Sequence, residues 1–158
     1  LYVYTGIIKY LKAEDHLAGV LAHEIAHSDR RHSTKQMTQQ YGIQTLLSIA
    51  FGKNPGMLAQ IAAGLANLKF SREDETEADT YSVRYLCQNP AKYEADGAAG
   101  FFQQLIDEGD DGGIPEFLST HPNPDNRVQN IELKAQELGC DTGLKAPATY
   151  EDFKKMLP

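Results

Sequence analysis

The chain has 158 residues, a formal net charge of −7 and a sequence pI near 5.2. Hydrophobic residues make up 41% and charged residues 23%, which is typical of a globular domain with a buried core and excludes a disordered chain. The acidic balance argues against nucleic acid or an anionic membrane surface as the main partner, because both bind basic patches. No run of 18 apolar residues occurs, so the sequence predicts no transmembrane helix.

The first half of the chain is predicted to be helical after a short strand. Residues 1–5 alternate and are rich in β-branched and aromatic side chains, which is typical of a strand. Apolar residues then recur at steps of three and four, which predicts a helix from about Ala13 to Tyr41. Two more apolar helices are predicted over residues 43–51 and 57–68, and this stretch would serve either as core or as a mobile lid over a site.

The second half continues the helical pattern. Ser71 is predicted to be an N-cap with Asp74 in the capping-box position, opening a helix that runs to about Leu86. Another helix is predicted over residues 90–106. A turn-rich stretch, STHPNPD, precedes a helix whose apolar face is formed by Val128, Ile131, Ala135 and Leu138.

These elements predict a mainly α domain, of the α+β class because of the small N-terminal strand. We expect the domain to span residues 1–138 and residues 139–158 to be a tail or linker, with a short helix capped at Thr149. The chain does not begin with Met, so we expect a piece of a longer protein whose N-terminal part is missing. Cys87 and Cys140 are far apart in the sequence, which leaves both a disulfide and two free thiols open.

The pentapeptide HEIAH places two histidines four residues apart on the first long predicted helix. Residues with this spacing share a face, so His23 and His27 can bind one zinc ion through their imidazole nitrogens. Glu24 lies about 100° further round the helix, where it can reach a water on the metal and act as the general base in attack on a carbonyl. The alternative is an ordinary polar helix face.

A catalytic zinc site needs a third protein ligand and an open position. His16 lies two turns before the motif, about 10 Å along the helix axis, which is too far to share the ion. His32 follows His27 by five residues and points off the shared face. The sequence therefore predicts both His16 and His32 to be solvated surface residues.

The better candidate for a third ligand lies in the acidic helix after Ser71. Glu75 and Asp79 are four residues apart and share a face, so Glu75 can bind the metal while Asp79 accepts the second ring N–H of a ligating histidine. Glu73 and Glu77 are alternative ligands, and of these two only Glu77 lacks a carboxylate four residues later. Without HEIAH, an acidic first turn that suits the helix dipole would explain the stretch.

His121 lies in the turn-rich stretch before the last long helix. One hypothesis makes it a hydrogen-bond donor to the oxyanion of the reaction. A second makes it the occupant of the open zinc position in a latent resting state, and a third makes it only a capping residue of the next helix. Arg127, on that helix, would either anchor the loop or assist the oxyanion.

The two motifs together resemble a known group of enzymes. HEIAH followed by SREDETEAD, in the pattern SRxxExxAD, is similar to the zinc metallopeptidases of the CAAX prenyl protease and HtpX type, which are gluzincins. The residues leading into HEIAH and the later STHPNPDNRV also resemble that family, so the matches extend from about Leu1 to Val128. The resemblance implies a gluzincin fold in which the HExxH helix carries the active site.

The resemblance implies one Zn²⁺ per chain, with His23, His27 and Glu75 as ligands and Glu24 as catalytic base. It also makes Asp79 the partner of a ligating histidine, expected to be His23. The membrane-spanning helices of some members are missing, so the chain resembles the branch found in the cell envelope, or periplasm, of Gram-negative bacteria. That branch acts on unfolded or misassembled polypeptides such as outer-membrane proteins. A zinc-containing, chaperone-like binding module with latent protease activity is the alternative.

Overall fold

The computed structural model describes residues 2–42, 45–47, 52, 56, 59, 63–64, 69–90, 92–109, 115–121, 126–143 and 149–158. The helices with assigned bounds are α1 (Thr5–Tyr10), α2 (Glu14–Asp29), α3 (His32–Tyr41), α4 (Arg72–Cys87), α5 (Gly97–Glu108), α6 (Pro115–Thr120), α7 (Arg127–Glu137) and α8 (Thr149–Lys155). The mainly α prediction is therefore confirmed.

The strand predicted over residues 1–5 is wrong. Among the described residues no strand is assigned, and Thr5 already belongs to α1. Tyr2 and Tyr4 are 96% and 77% exposed. An alternating segment becomes a strand only when a neighbouring strand accepts its backbone hydrogen bonds, and the described part of the chain provides no such neighbour.

Helix α2 is central to the fold, because it packs against both α4 and α5. Glycines allow α2 and α5 to approach closely. A Cβ atom at Gly19 would lie 2.1 Å from the backbone nitrogen of Ala98, and one at Gly97 would lie 2.2 Å from the carbonyl oxygen of Asp15. The Asp15 carboxylate is buried and accepts a hydrogen bond from the backbone N–H of Glu94 at 2.9 Å. The helix that carries HEIAH is thus held by close contacts with the backbone of α5 and by a hydrogen bond from the backbone of Glu94.

The single helix predicted from Ala13 to Tyr41 is interrupted. Helix α2 ends at Asp29, and Arg31 adopts a left-handed conformation with φ of 58° before α3 begins at His32. Periodicity alone misses such a break because a non-glycine residue seldom adopts positive φ. The break redirects the chain, so the angular position of His32 cannot be extrapolated from α2.

Helix α4 begins as predicted. The Ser71 hydroxyl accepts a hydrogen bond from the Asp74 N–H at 3.1 Å, and the Asp74 carboxylate accepts one from the Ser71 N–H at 3.2 Å. The helix predicted over residues 90–106 instead begins at Gly97, after turns. The structure buries Phe101 and Phe102 of this helix, whereas Ile106 is 58% exposed.

The hydrophobic core is shared by α2, α4, α5 and α7 and also includes a residue of α8. Tyr150 is 5% exposed in this cluster and its hydroxyl donates to the carbonyl oxygen of Ile8 at 2.9 Å. Cys87, at the end of α4, forms a disulfide with Cys140, just after α7. The division of the chain at residue 138 stays a prediction, but α8 packs on the same core.

The apolar stretch between α3 and α4 is described only at scattered positions. Most residues of the helices predicted over residues 43–51 and 57–68 lie outside the described residues, and the described residues 45–47, 59 and 63–64 are helical. The lid that these helices would form stays a prediction. None of the helices in the described part of the chain is long and apolar enough to cross a lipid bilayer.

Candidate metal centre

Four side chains from three regions of the chain converge at one point. His23 and His27 come from α2, Glu75 from the first turn of α4, and His121 from the residue that follows α6. Each offers one ligand atom, and these atoms all lie within 4.8 Å of one another. All four residues are buried, with exposed fractions of 1%, 3%, 0% and 6% in the same order. A buried group of this composition is an unusual arrangement unless its charges are compensated.

The distances between donor atoms match a tetrahedral metal site. His23 Nε2 lies 2.9 Å from His27 Nε2, and each lies 3.4 Å from an oxygen of Glu75. His121 Nδ1 lies 3.0 Å from Glu75 Oε1. Zn–N bonds of about 2.0–2.1 Å imply tetrahedral edges of about 3.3–3.4 Å, so the separations of His23 and His27 from Glu75 fit a zinc ion, and the whole set, within 4.8 Å, would adjust around it. The set also matches zinc chemically, because imidazole and carboxylate are zinc ligands.

The second nitrogen of His23 faces a carboxylate. His23 Nδ1 lies 2.8 Å from Asp79 Oδ1, one turn beyond Glu75 on α4. Burial lowers the pKa of His23, but its contacts with Asp79 and Glu75 outweigh burial and raise that pKa to about 9. The contact leaves Nε2 as the nitrogen that faces the cluster, which is the orientation that a metal-binding histidine needs.

Arg127 connects two buried carboxylates of α4, those of Glu75 and Asp79. Its guanidinium donates to both oxygens of Asp79 at 2.7 and 2.8 Å, and its Nη2 lies 2.9 Å from Glu75 Oε2. Arg127 is 3% exposed, and its guanidinium carbon lies 3.7 Å from the centre of the Phe102 ring. These contacts hold the start of α7 against α4. They favour the anchoring hypothesis for Arg127 over a role at the oxyanion.

The carboxylates of Glu75 and Asp79 remain ionised in spite of burial. Burial raises the pKa of Glu75, but hydrogen bonds from His121, His23 and His27 outweigh it and hold that pKa well below its usual range. Burial likewise raises the pKa of Asp79, and the contacts with His23 and Arg127 lower it further than burial raises it. The side chains of the cluster therefore attract one another through carboxylates paired with imidazole or guanidinium groups.

Glu24 lies at the edge of the cluster. Its side chain is 26% exposed, more than any of the four clustered residues, and its Oε1 lies 3.4 Å from His121 Nε2. That oxygen is buried and has no hydrogen-bond partner among the described residues. His121 therefore lies between Glu24 and Glu75, with one ring nitrogen facing each carboxylate.

Two aromatic rings that the sequence analysis did not identify support the histidines. Phe70 stacks on His27 with ring centres 4.0 Å apart, and Phe117 stacks on His121 with ring centres 4.5 Å apart. The backbone N–H of Phe70 also donates to the carbonyl oxygen of Thr120 at 3.1 Å, which holds the segment carrying His121 beside α4. Phe70 immediately precedes the capping box at Ser71, so the sequence could have indicated that its ring lies near the start of α4.

The prediction that His32 is solvated is wrong. His32 is 0% exposed and hydrogen-bonds to His27, because the break at Arg31 turns the start of α3 towards the cluster. His16 is only partly exposed, and its ring lies against Gly100 on α5 rather than in solvent. Of the alternative acidic ligands, Glu73 is exposed and Glu77 pairs with His32.

Comparison with known proteins identifies relatives over most of the chain. The model of a family described as "Peptidase family M48" matches residues 1–135. The mitochondrial metalloendopeptidase OMA1 of Schizosaccharomyces pombe is 33% identical over 137 residues, which cover 84% of this chain and 40% of that protein. A putative beta-barrel assembly-enhancing protease of Vibrio cholerae is 28% identical over 149 residues, and covers 85% of this chain and 30% of its own length.

The metalloprotease YcaL of Escherichia coli is 29% identical over 136 residues, which cover 82% of this chain and 52% of that protein. The chain thus spans between about a third and a half of the length of these curated relatives. The shared part includes HEIAH and the helix that carries Glu75, because the family match extends from residue 1 to residue 135.

Replacing Arg127 with Leu tests whether the burial of the Glu75 and Asp79 carboxylates depends on the charge of Arg127. We expect the Arg127→Leu variant to lose about 3–5 kcal/mol of stability in metal-free buffer, because two buried carboxylates lose their shared cation. Urea denaturation measures this loss. Arg84→Leu removes an exposed arginine from α4 and is the matched control, expected to change stability little. Equal effects of the two substitutions would contradict the anchoring role.

Proposed function

Because this chain belongs to peptidase family M48, we propose that it is the catalytic domain of a zinc-dependent metalloendopeptidase. The observation that carries the proposal is the convergence of His23, His27 and Glu75 in one buried donor set with Glu24 beside it. Three protein ligands next to a carboxylate that can move a proton match the requirements for peptide-bond hydrolysis.

In the proposed site, His23, His27 and Glu75 hold one Zn²⁺ per chain. The bound ion supplies a Lewis acid that polarises a carbonyl and lowers the pKa of water towards about 7. Asp79 orients His23 through the 2.8 Å contact at Nδ1. Arg127 holds Asp79 through charged hydrogen bonds and Glu75 through an ion pair.

Glu24 is the proposed general base. It is the most exposed carboxylate at the cluster, and its Oε1 has no hydrogen-bond partner among the described residues. It can therefore accept a proton from the attacking water and return it to the leaving amine. The helical position next to His23 keeps Glu24 off the ligand face while leaving it within reach of the reaction.

We propose that His121 closes the site in the resting state. Its Nδ1 lies as near to Glu75 as the histidines of α2 do, and it belongs to the same four-residue donor set. With four protein donors around the ion, no position would remain for water or substrate. All four donors are also buried, so a substrate reaches the metal only after His121 moves. The oxyanion hypothesis would apply to the state in which His121 has moved.

The proposed substrates are unfolded or misassembled polypeptides bound in extended form. Outer-membrane proteins are the specific class proposed, which is supported by the similarity to proteases named as enhancing β-barrel assembly. The alternative is a zinc-containing, chaperone-like module that holds such polypeptides while its protease activity stays latent. His121, as the fourth member of the donor set, would block the metal, and this favours the chaperone-like module.

We propose that the domain works in an oxidising compartment, namely the periplasm or cell envelope of a Gram-negative bacterium. The Cys87–Cys140 disulfide supports this location, because such bonds persist outside the reducing cytosol. Free thiols are alkylated at lysis and counted from the mass of the unreduced protein, and neither cysteine is expected to carry the label. Two free thiols per chain would contradict the location.

Replacing Glu24 with Gln tests the enzymatic proposal. We expect the zinc-loaded wild type to degrade an unfolded model protein such as casein, and Glu24→Gln to lose at least about 100-fold of that activity, since the amide cannot accept the proton. Zinc content should be unchanged because Glu24 is not among the proposed ligands. Cleavage by both proteins would exclude Glu24 as base, and cleavage by neither with zinc bound would favour the holding module.

Replacing His121 with Ala separates its hypotheses. If His121 closes the site, the His121→Ala variant is expected to retain zinc and to degrade the model protein faster than wild type, because a metal position is opened. Activity and bound zinc are measured on the same sample. Reduced turnover with normal zinc would support the oxyanion role instead, and unchanged turnover would exclude both roles.

A further inference from the structure

We propose that His32 and Glu77 form a hydrogen-bonded relay that positions the metal ligand His27. This inference rests on the proposed function, because it assigns two residues to the support of that metal site. His32 Nδ1 lies 2.9 Å from His27 Nδ1, and His32 Nε2 lies 2.9 Å from Glu77 Oε2. A fully buried histidine with both ring nitrogens engaged is an organised feature of the fold.

The hydrogen positions in this relay follow from metal binding. His27 Nε2 faces His23 and Glu75, so it is the nitrogen that binds the metal and must carry a lone pair. The hydrogen of neutral His27 is then on Nδ1 and is donated to His32 Nδ1. His32 can accept it only if its own hydrogen is on Nε2, and that hydrogen is donated to Glu77. Each member of the relay therefore fixes the tautomer of the next.

The two α2 ligands are supported in different ways. Nδ1 of His23 meets the carboxylate of Asp79 directly, whereas Nδ1 of His27 reaches a carboxylate, that of Glu77, only through His32. The ring of His27 is held in two directions, by stacking on Phe70 and by the hydrogen bond of its Nδ1. His32 thus makes the directional contact that keeps Nε2 aimed at the metal, since stacking alone does not fix rotation within the ring plane.

Glu77 is itself held in position by a residue just after α2 and by a residue of α3. Arg30 Nε donates to Glu77 Oε1 at 2.9 Å, and Lys35 Nζ lies 3.7 Å from Glu77 Oε2. Hydrogen bonding from His32 and contact with Arg30 and Lys35 keep the pKa of Glu77 below its usual range despite partial burial. The Glu77 side chain is 31% exposed, so a substitution there removes the end of the relay without opening a cavity in the core.

Zinc affinity provides the test, because it reports on ligand orientation separately from turnover. Zn²⁺ alone is titrated against a chromogenic chelator with wild type, His32→Leu, Glu77→Ala and Glu77→Gln. Loss of an outer hydrogen-bond partner typically weakens metal binding by about 10–100-fold, so we expect His32→Leu within that range and Glu77→Ala near about 10-fold. Glu77→Gln keeps an acceptor oxygen for His32 and is expected to recover most of the affinity.

Glu73→Ala is the matched control. It removes one negative charge from the same helix as Glu77→Ala, but at an exposed position that takes no part in the relay. We expect its zinc affinity to equal that of wild type. The Co²⁺-loaded proteins provide a spectroscopic readout, since altered ligand geometry changes the visible absorption bands of the ion in Glu77→Ala but not in Glu73→Ala.

The outcomes separate the relay from the proposed function. If wild type binds Zn²⁺ and Glu77→Ala binds it equally well, the relay is overturned and the metal site stands. Equal losses in Glu77→Ala and Glu73→Ala, or in Glu77→Ala and Glu77→Gln, would also overturn it, because charge alone would then explain the effect. A folded wild type that binds no Zn²⁺ overturns the proposed metal site and the relay with it.

Discussion

Glu75 is the group on which the candidate site depends. It is a fully buried carboxylate that contacts His23 and His27 of α2, His121 after α6, and Arg127 of α7. An ionised carboxylate at this depth is tolerated only when charges and hydrogen bonds compensate for its lost hydration. The elements that supply those partners are therefore held around the first turn of α4. The same attraction that stabilises Glu75 assembles the donor set.

The packing of the helices makes this arrangement rigid. Gly19 and Gly97 let α2 and α5 meet at backbone distance, which fixes the helix that carries both histidines. The capping box at Ser71 fixes where α4 begins, and hence which of its acidic residues faces α2. Because Glu75 follows the cap by four residues, it points inward while Glu73 remains exposed. A shift of one residue in the start of α4 would present a different side chain to the histidines.

Burial of the four donors is the basis for proposing that the site is closed at rest. A peptidase must expose its metal to substrate, whereas the four donors here are at most 6% exposed and Glu24 is 26% exposed. His121 is held by Glu75, Glu24 and the ring of Phe117, all through contacts that would be lost if it moved. Opening the proposed site would therefore cost those contacts, and a bound polypeptide would have to offset them.

The amino-acid sequence by itself determined the candidate residues and the local frame. Spacing on a helix was enough to select His23, His27 and Glu24, because this relation extends over four residues. The same spacing paired Glu75 with Asp79, and the resemblance to the pattern SRxxExxAD selected that pair. His23, His27 and Glu75 lie together and Asp79 contacts His23 in the structure, while the metal-binding and catalytic roles of these residues remain proposals.

Only the tertiary structure decided how separate segments meet. The positive φ of Arg31 ends α2 and buries His32 against His27, which no periodicity in residues 13–41 indicates. Likewise, the distance from Glu75 to His121, the packing of Arg127 on Phe102 and the placement of Tyr150 in the core join residues distant in sequence. Local spacing specifies which residues share one helix face. Contacts between faces depend on backbone breaks and on how buried charges are compensated, and those are properties of the folded chain as a whole.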